Sequence, residues 1–75
     1  MDAKLLDYME RVTTDAMDAN LTLFVEYHQL AEKYKAGGNT EAYQYWHLRS
    51  LDLSNTARKL RNDIRQLEKG VKNNG

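Results

Sequence analysis

From Met1 to Lys69 the chain contains one strong helix breaker, the run Lys35-Ala36-Gly37-Gly38-Asn39-Thr40, and its 75 residues include no proline. Leu, Ala, Glu, Lys, Arg, Gln and Met, which lose little rotamer freedom in a helix, are spread along both flanks of that run. Two long helices joined by one turn are the expected result. Paired glycines can take the left-handed backbone that ends a helix, and Asn39 or Thr40 can cap the next, with Glu41 beside its positive dipole end. Gly70 and the Asn73-Asn74-Gly75 tail mark a second stop. The expected elements are helix one over about 2–35, a turn at 36–39 within Lys35–Thr40, helix two over about 40–70 and a frayed tail at 71–75. Together they form a single domain, 1–75.

Hydrophobic spacing turns two helices into a hairpin. In the second half Tyr43, Trp46, Ser50, Leu53, Ala57, Leu60, Ile64, Leu67 and Val71 recur at alternating steps of three and four, a heptad seam. The first half offers Leu5, Met9, Val12, Ala16, Ala19, Leu23, Glu26, Leu30 and Lys33 at the same steps. Folding back at Gly37-Gly38 pairs Leu5 with Val71, Met9 with Leu67, Val12 with Ile64, Ala16 with Leu60, Ala19 with Ala57 and Leu30 with Trp46, each pair of numbers summing to 76. The expected fold class is all-α, two long antiparallel helices in a coiled-coil-like hairpin. Its weak point is Val12 to Asn20, where β-branched and short polar residues could bend helix one and fold it into a three-helix core.

Formal net charge is zero, so the chain has no global attraction to nucleic acid or anionic lipid. The zero conceals an asymmetry: residues 1–36 hold seven acids and four bases, net −3, whereas 39–75 hold four acids and seven bases, net +3. An antiparallel hairpin sets Asp2, Asp7, Glu10, Asp15 and Asp18 beside Arg58, Lys59, Arg61, Arg65, Lys69 and Lys72. Each exposed pair contributes only about 0–1 kcal/mol, but the sign pattern opposes a parallel arrangement.

With that seam facing inward, the outer positions near the free ends read Ala3, Lys4, Asp7, Glu10, Arg11 and Thr14, an ordinary solvated surface. Nearer the turn they read Met17, Leu21, Phe24, Val25, His28 and Ala31 on helix one and Tyr45, Leu48 and Leu51 on helix two. A helix that is apolar round more than one face must be covered by something. Met17, Leu21, Phe24, Val25, Tyr45, Leu48 and Leu51 are therefore the expected partner-binding residues, with self-association into a homodimer or four-helix bundle as another way to cover them. A chain of this size with no cysteine to staple it usually needs such help.

Little else in the sequence carries chemistry. His28 and His47 lack a third ligand, so no metal site is expected, and neither is a cofactor. Ser50 and Glu26 form one polar seam layer, a register device rather than a catalytic pair. Without a phosphate loop, a placed nucleophile or a concave scaffold, no enzyme is expected. Mean hydropathy is −0.80 and no apolar run approaches the roughly 20 residues of a membrane span, nor does the acidic N-terminus carry a leader-like apolar run. The basic stretch Arg58 to Lys72 leaves an RNA-binding dimer, or a regulatory interaction module, as an alternative.

Gly37-Gly38-Asn39 followed by Tyr43-Gln44, Trp46, Ser50, Leu53 and Ala57 resembles the small YscE-type proteins of bacterial type III secretion systems, the YscE/PscE/AscE/EscE group. The likeness covers roughly residues 34–60, while the N-terminal half offers no matching motif. The resemblance implies a cytoplasmic bacterial co-chaperone, a helical hairpin that binds a tetratricopeptide-repeat-like (TPR-like) chaperone and so helps keep the needle subunit unpolymerised. Balanced charge and low hydropathy leave neither nucleic acid nor a membrane among the expected partners.

Overall fold

The computed structural model describes residues 2–74, with side chains described through Gly70. It consists of α1, Ala3–Ala36, and α2, Thr40–Asn74, packed against each other as an antiparallel hairpin; the described residues contain no strand. The molecule is a rod of 55 × 14 × 12 Å. Its radius of gyration is 16.8 Å, against about 11 Å for a compact chain of this length. One layer of side chains between two helices is all the core there is.

Local chemistry accounts for both helix starts and for the turn. The Asp2 carboxylate accepts from the Lys4 N–H at 3.1 Å, and the Asp2 carbonyl from the Leu6 N–H at 3.0 Å. At the other end of α1 the Asn39 N–H donates to the Tyr34 carbonyl at 2.9 Å and the Gly38 N–H to the Lys35 carbonyl at 3.1 Å. Those two bonds form a Schellman closure, which needs a left-handed residue at Gly38, and Gly38 has φ +79. Gly37 stays right-handed at φ −83. Asn39 then caps α2, its side-chain oxygen accepting from the Ala42 N–H at 3.1 Å. Between capping by Asn39 and by Thr40, the structure selects Asn39.

The alternative of a bent helix one falls away, and two expectations about the helices change. Helix one is unbroken through Val12–Asn20, so the three-helix core is not formed. Thr13 donates to the Met9 carbonyl at 2.7 Å, Asn20 to the Ala16 carbonyl at 2.8 Å and Thr22 to the Asp18 carbonyl at 3.0 Å. Bonded back to the preceding turn, these polar groups need no break in the helix. Gly70 does not stop helix two, which continues through residues 71–74, so the tail expected to fray is helical there. The second change is the face that α1 turns inward.

The inward face of α2 is the expected one. Tyr43, Trp46, Leu53, Leu60, Ile64 and Leu67 are half-buried, and Ser50 and Ala57 are buried; Val71 lies outside the described side chains. On α1, however, Leu5, Met9, Val12 and Leu23 are exposed, while Leu6, Thr13, Met17, Asn20, Phe24, Tyr27, Ala31 and Tyr34 are buried or half-buried. Each expected seam position is displaced by one residue, a rotation of about 100° about the helix axis. Glu26 and Lys33, expected in the seam, are exposed, and Tyr27 and Tyr34 take their places. The fold-back point survives: the Leu6 side chain lies 3.9 Å from where a Cβ on Gly70 would sit, and those numbers again sum to 76.

Rotation trades aliphatic for aromatic burial and takes Glu26 and Lys33 out of the interface, while Glu10, displacing Met9, becomes half-buried at its edge. Tyr27 meets Trp46 edge-on with ring centroids 5.1 Å apart. Aromatic side chains bury about 150–250 Å² each, so a seam holding Phe24, Tyr27 and Tyr34 removes more apolar surface than one holding Leu23, Glu26 and Lys33. Desolvating Glu26 and Lys33 would have cost further.

Candidate interaction surface

Three faces of α1 follow from the rotation. Residues one position after the seam form one flank, with Leu21, Val25 and His28; residues one position before it form the opposite flank, with Leu5, Val12 and Leu23. The two flanks lie about 100° to either side of the seam and so open on opposite broad faces of the hairpin. A shallow groove on the first face is lined by Met17, Leu21, Ser54, Ala57, Arg58 and Arg61, and one on the second by Leu6, Met9, Thr13, Asp63, Gln66 and Leu67.

The first groove exists because a small residue faces long ones. Ala57 is buried and leaves a dip between the helices that Met17 and Leu21 border. Arg58 and Arg61 rim it, so its floor is apolar and its edge cationic. Toward the turn the surface stays apolar: Val25 and Leu51 are about half exposed and Leu48 is 61% exposed, the highest value among the described large hydrophobic residues. Tyr45, one position before Trp46 and so toward the second face, is also exposed, held edge-on against Trp46 at 5.0 Å with the Arg49 guanidinium 4.3 Å over its ring.

Five of the seven expected partner-binding side chains thus face solvent: Leu21, Val25, Tyr45, Leu48 and Leu51. Met17 and Phe24 do not point outward as expected; both are half-buried, because the rotation carries their stripe into the seam. Phe24 stacks on His28 at 5.9 Å, and His47 stacks on Tyr43 at 5.2 Å, which places the two histidines on separate aromatic partners. The Ser50–Glu26 layer is not formed. Ser50 is 1% exposed and donates to the His47 carbonyl of its own helix at 2.7 Å, while Glu26 faces solvent.

The free-end half is not the fully polar surface expected. Leu5, Met9 and Val12, expected in the seam, are exposed there, and so is Tyr8, which belongs neither to the expected seam nor to the expected polar surface. The signal was present in the sequence, since α1 carries two adjacent heptad stripes and two helices can bury only one.

Comparison with models of protein families, with curated proteins and with solved structures returned no match to this chain. No helix among the described residues is long and apolar enough to cross a membrane.

Proposed function

We propose that the protein is a non-enzymatic, cytoplasmic binding module of a bacterial type III secretion system, docking on a TPR-like chaperone and helping it hold the needle subunit soluble and unpolymerised. The observation that carries this reading is the exposed apolar surface of Leu21, Val25, Leu48 and Leu51, continuous in sequence position with the Met17–Ala57 groove on a rod too thin to cover it. Apolar side chains at helical spacing beside a groove suit insertion between the helices of a repeat protein. The turn signature Gly37-Gly38-Asn39 with Tyr43-Gln44 and Trp46 supplies the link to the YscE-type group.

Leu48 and Leu51 are exposed, so changing both to Asp should leave the hairpin intact by circular dichroism. Co-expression with the TPR-like chaperone and needle subunit of the source cell's secretion system should give a soluble ternary complex with the native chain and none with the double variant. A native chain that fails to co-purify with that chaperone overturns the proposal; a double variant that still co-purifies relocates the site.

A further inference from the structure

We propose that the exposed stripe of α1, on the face opposite the Met17–Ala57 groove, binds a second copy of this chain, α1 against α1 in antiparallel register about a point between residues 17 and 18. The stripe keeps an unbroken heptad spacing from Leu5 to Leu30, 25 residues or about 37 Å along the helix. Leu5, Met9, Val12 and Leu23 are exposed on it, and Ala16 and Leu30 half-buried. Such spacing is what a helix of matching length reads, and α1 of another copy has that length by construction.

Self-complementarity selects the occupant. In antiparallel register, with paired residue numbers summing to 35, Leu5 meets Leu30 of the second copy, Val12 meets Leu23, and Ala16 meets Ala19 at the centre, where small side chains let two helices approach closely. Asp2 faces Lys33 at both ends, an opposite-charge pair made twice by the two-fold. Glu26 faces Met9 and sits on the exposed side of the helix. Shifting the register by one heptad sets Glu26 against Asp2 in one direction, and against Ala16 in the other, which also leaves Leu5 unpaired. Parallel pairing would stack Glu26 on Glu26 and Lys33 on Lys33. On this face α2 borders the free-end half of the stripe with the polar side chains Asp63 and Gln66, and toward the turn it presents Tyr45 under the Arg49 guanidinium.

Area agrees. The chain exposes 5689 Å², about 1,000 Å² more than a compact protein of its mass, while a standard interface takes about 800 Å² from each partner.

The test uses the full chain, which has no cysteine of its own. Light scattering should return twice the 8.7 kDa chain mass at micromolar concentration. Val12→Lys alone and Leu23→Glu alone should each halve that mass with helicity retained, and the chain carrying both should dimerise again, because Lys at 12 then faces Glu at 23 twice. Under oxidation, Val12→Cys mixed with Leu23→Cys should cross-link. Val12→Cys alone should not, its counterpart lying 11 residues, about 16 Å, away, beyond the roughly 7 Å that a disulfide tolerates between Cα atoms. A native chain that stays monomeric overturns the proposal, including one that becomes covered only by a different protein. So do a Val12→Lys variant that remains dimeric with helicity retained, and Val12→Cys cross-linking to itself as readily as to Leu23→Cys.

Discussion

The side chain of Leu6 packs over Gly70, 3.9 Å from where a Cβ would stand, so the open end of the hairpin closes on one leucine and one glycine. Gly70 lies inside α2, and the only glycine with positive φ among those described is Gly38. A methyl at Gly70 would therefore meet Leu6 at ordinary contact distance on a backbone that any residue can adopt. Gly70→Ala is expected to stabilise the hairpin by about 1 kcal/mol, chiefly through helix propensity, read as a raised urea midpoint. A lowered midpoint would mean that the Leu6 contact is already full.

The two turn glycines should respond in opposite ways. Gly38 is left-handed with open space where a Cβ would go, so Gly38→Ala meets no clash yet costs about 1–2 kcal/mol in backbone strain. Gly37 is right-handed and its Cβ would sit 3.6 Å from the Lys33 carbonyl oxygen, so Gly37→Ala should change stability by less than about 0.5 kcal/mol. Thermal melts of the two variants check the difference.

Phe24 and Val25 are neighbours on α1 and differ in the face they occupy. Phe24→Ala should destabilise the hairpin by about 2–3 kcal/mol, less than a fully buried Phe because the ring is half-buried. Val25→Ala, at an exposed position, should stay within about 0.5 kcal/mol. Equal effects in chemical denaturation would show that α1 is rotated otherwise than described.

Trp46 is the only tryptophan, so its fluorescence reports on the seam. Tyr27 covers it edge-on at 5.1 Å. Tyr27→Ala should shift its emission to the red and cost about 1–3 kcal/mol, combining the lost aromatic pair with the surface uncovered. An unchanged spectrum would place Tyr27 away from the seam.

Ser50 is the most completely buried polar side chain among the described residues, and its hydroxyl bonds within its own helix. Ser50→Ala should be neutral within about 0.5 kcal/mol, since no partner on α1 is left unpaired. Ser50→Leu should cost about 1–3 kcal/mol by overpacking a layer that admits only a small residue. Denaturant titration of the pair distinguishes a spacing role from a bonding one.

Sequence alone determined the elements and the turn, which depend on near neighbours. The absence of proline and the Gly37-Gly38-Asn39 run set two helices and the turn between them, because a left-handed closure is satisfied within a few residues, whereas the end of α2 was not legible and runs past Gly70. The seam of α2 was legible too, since only one of its faces carries a continuous apolar heptad. Of the candidate surface, Leu21, Val25, Tyr45, Leu48 and Leu51 were placed outside correctly. Which face α1 turns inward was decided only by the tertiary structure. Its two apolar stripes, one led by Leu5, Val12 and Leu23 and the other by Leu6, Phe24 and Tyr27, have the same spacing, and spacing cannot rank them. The choice belongs to the opposite helix: Trp46 offers an aromatic edge that Tyr27 fills, and Gly70 an opening that Leu6 fills, whereas the other stripe would have brought Glu26 and Lys33 into the dry layer.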